Sequence, residues 1–304
     1  MNASVYYMGV LGGHMAIILH SEFRNLTRAD FHVQAEKFIG IAFDVQNQLG
    51  RYYSEAIYQE ALRQRCEEVG LTPTLKEVRI SLSHADFEAY FLVDILAAHG
   101  LIVELKAAES LCARNEAQAL QYLMLSEVNH GLLLNMGGDQ VEKRFLTTNL
   151  TLAERRRVNV SQQEWTELGG RSRLLRESVL ELIDDWGSFL GVPLYRNALM
   201  HLLGGPEVVM RNVPVYDHGR CLGERSFFTL SDDVAVCFSA LRANRAGLQG
   251  QLLRVLNHTP LRYFQWVNIS GHEIEFRTVS QNRLSSGAAP RAGQARDKPR
   301  KTDL

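Results

Sequence analysis

Two acids and a lysine stand out for their spacing. Asp94 and Glu104 lie on either side of the short connection Ala98-His99-Gly100, which joins two apolar segments, Tyr90–Ala97 and Leu101–Ala107. If the turn centres on His99, the segments form an antiparallel hairpin and the two carboxylates face each other, with Cβ atoms about 4.5–5.5 Å apart. Facing carboxylates repel, and burial under helices raises the cost, so a divalent cation would relieve both; all-oxygen donors favour Mg²⁺ or Mn²⁺. Period-two alternation puts Lys106 on the face of Glu104 and sends Leu101, Val103 and Leu105 to the other. A metal-bound water beside such a lysine can attack a phosphodiester, with the ammonium orienting the water or stabilising the pentacovalent charge. An isolated acid-x-lysine in a strand also suits an ion network on a solvated face; the opposed Asp94 and the polar groups on neighbouring helices favour the metal site.

Those groups depend on the surrounding elements. Gln34–Gln48 carries Phe38, Ile41, Ala42 and Val45 at helical spacing and ends near Gly50. Ser54–Val69, with Ile57, Tyr58, Ala61, Leu62 and Cys66 on one face and Gly70 closing it, presents Glu55 and, one turn on, Tyr58. Val78–Leu82 is a further strand, Asn115–Ser126 a helix presenting Gln118 and Tyr122, and Gly131–Met136 and Glu142–Thr147 two strands around Gly137-Gly138-Asp139. Glu55, Tyr58, Gln118 and Tyr122 can all converge on the carboxylates. The two tyrosines serve core packing equally well, Gln121 is expected to face solvent, and His99 is a turn residue.

The wider composition narrows the class. With 33 Lys+Arg against 34 Asp+Glu in 304 residues, the formal charge is −1, so a polyanion must be met by a local patch. No apolar run approaches the length of a membrane helix. Residues 1–30 read as an N-terminal extension, because the apolar Met8–Leu19 lacks a preceding Lys or Arg and is interrupted by glycine and histidine. The four cysteines show no metal-ligand spacing, which points to a reducing compartment and a cytoplasmic protein. Residues 281–304 form a basic tail with almost no large apolar side chain, expected to be disordered. Arg155-Arg156-Arg157 reads as a solvated charge run, with phosphate contact the lesser alternative.

The chain also repeats itself. One displacement carries Gly50, Tyr58, Ala61 and Leu62 onto Gly187, Tyr195, Ala198 and Leu199; a second, held without a gap, carries Ala107, Gln118, Leu120, Leu123, Asn135, Glu142 and Arg144 onto Ala240, Gln251, Leu253, Leu256, Asn268, Glu275 and Arg277. Residues 174–280 therefore read as a diverged second copy of residues 31–150, joined by a linker at 151–173. The copy lacks the chemistry: Glu55 becomes Val192, Glu104 Cys237, Lys106 Ser239 and Tyr122 Val255, Asp94 falls on Phe227 or Phe228, and Gln251 remains.

Asp94 followed by Val103-Glu104-Leu105-Lys106 resembles the signature of the PD-(D/E)XK nuclease superfamily, and Gln118 through Tyr122 is similar to the QxxxY element of its RecB-like members. More narrowly, Glu36–Leu62, Ile102–Ala107, Glu116–Leu123 and Gly131–Met136 resemble the GxxExxY family, although Tyr52 stands at the leading glycine and Gln46 at an expected histidine. The resemblance spans about Phe31–Leu146. It implies an α/β fold with a restriction-endonuclease-like core, a mixed sheet flanked by helices, followed here by the second copy of the same fold. It also implies a Mg²⁺- or Mn²⁺-dependent nuclease acting on nucleic acid, expected to be DNA, in which Asp94 and Glu104 are metal ligands, Glu55 is an auxiliary ligand, Lys106 is the electrostatic group, and Gln118 and Tyr122 orient Lys106 or the phosphate. The second copy would pack on the first as a pseudo-dimer. The rival reading is a non-catalytic interaction scaffold retaining the nuclease fold.

Overall fold

The chain alternates helix pairs with runs of strands, and the computed structural model describes residues 6–11 and 14–281, so the basic tail lies outside the described residues. The first half runs β1 (Tyr6–Leu11), β2 (His14–Leu19), α1 (Arg28–Leu49), α2 (Glu55–Glu68), β3 (Thr74–His84), β4 (Phe87–Ala97), β5 (Leu101–Lys106), α3 (Ala113–Ser126), β6 (His130–Asn135) and β7 (Glu142–Thr147). The strands form one seven-stranded sheet in sequence order. Every neighbouring pair is antiparallel except β5 and β6, which α3 connects as a parallel crossover. The segment expected as an N-terminal extension instead supplies β1 and β2, which lengthen the sheet beyond β3.

Local chemistry sets these elements. Thr27 accepts the Asp30 N–H at 3.2 Å to start α1, and Gly50, at a φ of 78°, ends it. One face of α1, with Phe31, Ala35, Phe38, Ala42 and Val45, buries against α2 and against Leu101, Val103 and Leu105 of β5. The opposite face of the sheet is covered by α3 together with elements from the second half.

The second half runs α4 (Leu152–Arg155), β8 (Asn159–Glu164), α5 (Gly170–Trp186), α6 (Val192–Leu202), α7 (Pro206–Val209), β9 (Met210–Asp217), β10 (Arg220–Phe228), β11 (Val234–Ser239), α8 (Arg245–Asn257), β12 (Tyr263–Ser270) and β13 (Glu273–Ser280). From α5 onward the order of elements follows that from α1, with the one-turn α7 inserted after the second helix. Registers coincide too: β5 and β6 pair Ile102 with Gly131 and Lys106 with Asn135, while β11 and β12 pair Ala235 with Phe264 and Ser239 with Asn268. His130 meets Thr147, and Tyr263 meets Ser280. Asn135 grips the backbone N–H and C=O of Ala108 at 2.9 and 2.8 Å; Asn268 grips those of Leu241 at 2.7 and 3.0 Å. Tyr58 donates to Gly50 O at 2.6 Å and Tyr195 to Gly187 O at 2.5 Å.

The halves also differ. β9 and β10 form a separate two-stranded ribbon, joined to β11 by the backbone bridge Thr229–Ala235 and by the edge-on packing of Phe228 on Phe238. The stretch 151–173, expected as a linker, contains α4 and β8, and β8 adds a parallel edge strand beside β13. Nor does the arginine run lie wholly in solvent: Arg155 is fully buried and donates to the C-terminal carbonyls of two helices, Trp186 O at 2.5 Å and Met124 O at 3.1 Å. Burial pulls its pKa down to about 10, and the negative ends of the two helix dipoles offset the lost hydration.

One apolar cluster continues across the halves, from Val78, Leu82 and Leu123 to Leu182, Trp186 and Leu199. Trp186 donates its indole N–H to Ser83 O at 2.9 Å. Gln121, expected to face solvent, reaches across instead and accepts the Gly191 N–H at 2.9 Å, fixing the start of α6. Among the described residues no helix is long and apolar enough to cross a membrane.

Candidate active site

The hairpin turns on Ala98 and His99, both at positive φ (48° and 60°), and β4 pairs with β5 as far as Ile95–Val103. Beyond that pair no backbone ladder joins Asp94 to β5. The Asp94 carboxylate takes its place, accepting the Leu105 N–H at 2.7 Å and the Gln59 side-chain N–H at 3.0 Å. Opposite it, Glu104 is fully buried. Its Oε1 accepts Lys106 Nζ at 2.5 Å, while Oε2 is buried with no hydrogen-bond partner. Lys106, the last residue of β5, also lies 3.9 Å from Asp94 Oδ2 and 4.0 Å from Glu55 Oε2. Glu55, in the first turn of α2, accepts the Ala107 N–H at 3.3 Å.

Burial is the first cause of an elevated Glu104 pKa, pushed up to about 8, and the Asp94 charge is the second. Asp94 is raised by burial as well, against the pull of the Leu105 N–H and the Lys106 charge. Burial disfavours the Lys106 charge, but its bond to Glu104 and the charges of Glu104, Asp94 and Glu55 outweigh that and hold the ammonium above its usual range. Opposed carboxylates in a dry site thus compete for a proton, and one lysine does not neutralise them.

The remaining expected residues divide. Tyr122 is buried beside Phe91, accepts the Gln118 side-chain N–H at 2.9 Å, and has its pKa pushed up to about 12 by burial and then by Glu104. Gln118 and Tyr122 stay bonded to each other, and neither makes a hydrogen bond to Lys106, whose partners are Glu104 and Leu105 O. Tyr58 turns into the core and ties α2 to the end of α1, away from the carboxylates. The side chain that reaches Asp94 from α2 is Gln59, which sequence reasoning passed over; its position four residues after Glu55 was the available signal.

Among the described residues no group of three or more His, Cys, Asp or Glu side chains stands together as a metal cage. Two carboxylates with water and substrate oxygens are nonetheless a usual Mg²⁺ environment. The orphaned Glu104 Oε2 and the opposed Asp94 fit a hard divalent ion, with Glu55 at the rim.

In the second half, Ser239 stands at the Lys106 position, with its hydroxyl donating to Asn268 Oδ1 at 2.7 Å and accepting the Trp266 indole N–H at 2.8 Å. Both of its bonds are internal to the sheet.

The mixed sheet flanked by helices, with acids and a lysine where two strands part, is consistent with the PD-(D/E)XK fold. A family model described as the PD-(D/E)XK nuclease superfamily matches residues 32–146, which take in all of Glu55, Asp94, Glu104, Lys106, Gln118 and Tyr122. No curated protein and no solved structure matches the chain.

Proposed function

We propose that the unit formed by residues 31–150 hydrolyses phosphodiester bonds of nucleic acid, DNA foremost, with Mg²⁺ or Mn²⁺. The observation that carries the reading is the buried Glu104 carboxylate, opposed by Asp94, with one oxygen on Lys106 and the other unpartnered. Asp94 and Glu104 would hold the ion and Glu55 would assist. When bound, such an ion supplies Lewis acidity and an acidified water. Lys106 positions the nucleophile and stabilises negative charge gathering on the phosphorus oxygens. The Gln118–Tyr122 pair borders the site and orients the phosphate. The four motifs of the GxxExxY likeness favour that narrower family.

Residues 174–280 are read as a diverged, inactive copy packed on the first as a pseudo-dimer. The coincident strand registers, the paired Asn135 and Asn268 grips and the paired Tyr58 and Tyr195 bonds support this. The test is incubation of the full chain with circular and linear DNA, single-stranded DNA and RNA, in Mn²⁺ or EDTA, beside Lys106→Ala. Metal-dependent cleavage lost in the variant is expected. Cleavage by Lys106→Ala equal to the parent overturns the site. No cleavage of any polymer, with no melting shift across millimolar Mg²⁺ and Mn²⁺, favours the scaffold reading, since an ion at 100 times its Kd adds about 2.7 kcal/mol.

A further inference from the structure

A cavity of 500 Å³ opens in the second half, and its walls include Val192, Arg196, Phe227, Cys237, Gln251 and Val255. In the repeat register these are the counterparts of Glu55, Gln59, Asp94, Glu104, Gln118 and Tyr122, the alternative Asp94 counterpart Phe228 lining the cavity as well. The cavity is therefore the second unit's version of the candidate active site, with its chemistry inverted. No Asp or Glu lines it. Its cations are Arg196, whose guanidinium reaches only the Met210 thioether at 3.5 Å, and Arg225, whose guanidinium lies 5.5 Å over the Phe227 ring. A thioether is a weak acceptor, so both forks keep N–H groups for an anion. Among the described residues neither arginine pairs with a carboxylate.

The first cleft presents carboxylates that need a cation before they can meet a phosphate. The second presents guanidiniums, which bind phosphate oxygens directly. Phe227 is half-buried, with the exposed Arg225 side chain over its ring and Phe264 packed edge-on 6.1 Å away, so a base would stack there by displacing the Arg225 side chain. Pro193 lines both the cavity and a neighbouring groove that includes Phe91 and Gln121, and Phe91 packs 6.2 Å from Tyr122 of the first cleft.

We propose that this cavity binds one nucleotide of a single-stranded nucleic acid, its phosphodiester on Arg196 and Arg225 and its base on Phe227, while the strand continues toward the first cleft. Single-stranded nucleic acid is the occupant because a paired base enters only after being unstacked and unpaired at a cost, and a base face with an adjacent phosphate matches an aromatic wall beside guanidiniums. The inference rests on the reading of residues 174–280 as the counterpart of the nuclease unit.

The experiment is fluorescence anisotropy of the full chain with labelled dT20 and rU20, and with 5′-dTMP as competitor, in EDTA across a salt series. Arg196→Ala/Arg225→Ala is expected to weaken oligonucleotide binding at least tenfold and to reduce the slope of log K against log salt by about 0.7, the value for one single-strand phosphate contact. Arg196→Lys/Arg225→Lys should keep the slope while losing part of the affinity, which separates loss of charge from loss of fold. Phe227→Leu should weaken binding about tenfold with the slope unchanged. Unchanged affinity and slope in the alanine pair overturn the proposal, as does dTMP binding as tightly as dT20. Cleavage in Mn²⁺ is scored separately. A parent that cleaves while the alanine pair binds normally removes this inference and leaves the nuclease reading; arginine-dependent binding by a parent that cleaves nothing does the reverse.

Discussion

The two clefts of this chain share a frame and differ in what lines it. Each has a parallel strand pair in the same register, an asparagine clasping the loop beyond the first strand, and a tyrosine tying its second helix to the end of its first. One frame holds Asp94, Glu104 and Lys106 in a dry site; the other holds Phe227 and Cys237 beside two arginines, with Ser239 bonded to Asn268 and Trp266. The frame is thus separable from the chemistry, because strand pairing and helix ties are made largely by backbone and by groups outside the cleft.

The strongest way to break the comparison is to remove the charged residue on one side only. Lys106→Ala is expected to lower metal-dependent cleavage by roughly a thousandfold, the scale of losing one preorganised electrostatic group. Initial rates decide this, and a loss below tenfold would put the two clefts on an equal footing.

A second difference is readable in pH. Glu104 moves from an ordinary 4.5 to about 8 in the fold, so between those values the folded chain keeps a proton that the unfolded chain has released. The stability tied to that proton is full below about pH 4.5, falls as pH rises and is lost above about 8. The expected change is on the order of a few kcal/mol. Urea denaturation in EDTA at several pH values should show this fall, and Glu104→Gln should flatten it. Divalent-cation affinity should rise over the same window, because the ion must displace the proton.

The asparagine clasps offer a finer test. Asn135→Ala and Asn268→Ala each leave a backbone N–H and C=O without their partner and should each cost about 2 kcal/mol in chemical denaturation. Only Asn135→Ala should also slow cleavage, by about tenfold, since the loop it holds follows Lys106 directly. Equal kinetic effects would mean that the second cleft takes part in catalysis.

The smallest effect is expected at Ser239→Ala, the counterpart of the lysine. Losing the bonds to Asn268 and Trp266 should cost about 1 kcal/mol and leave the cleavage rate within twofold.

Much of this site was legible in sequence because it depends on local rules. A short connection centred on His99 aligns Asp94 with Glu104 by counting, and period-two alternation puts Lys106 with them. Helix spacing brought Glu55 close, but i+3 and i+4 neighbours are hard to rank without the facing strand. Tyr58 and Gln59 both lie within a turn of Glu55, and the fold sends Tyr58 to Gly50 O and Gln59 to Asp94. Four-residue spacing puts Gln118 and Tyr122 one helical turn apart, where they bond to each other, and whether either reaches Lys106 depends on how α3 lies across the sheet.

By itself the sequence determined the helices and strands of residues 31–150 and the opposed carboxylates, since hydrophobic periodicity, turn residues and spacing are properties of neighbours along the chain. Tertiary structure alone decided that Arg155 is buried between two helix ends, that β1, β2 and β8 extend the sheets, and that the Glu104 carboxylate is left with one oxygen unpartnered. Burial and the partners of a polar atom are set by segments distant in sequence, and those determine whether a charge is solvated, neutralised or held ready for a ligand.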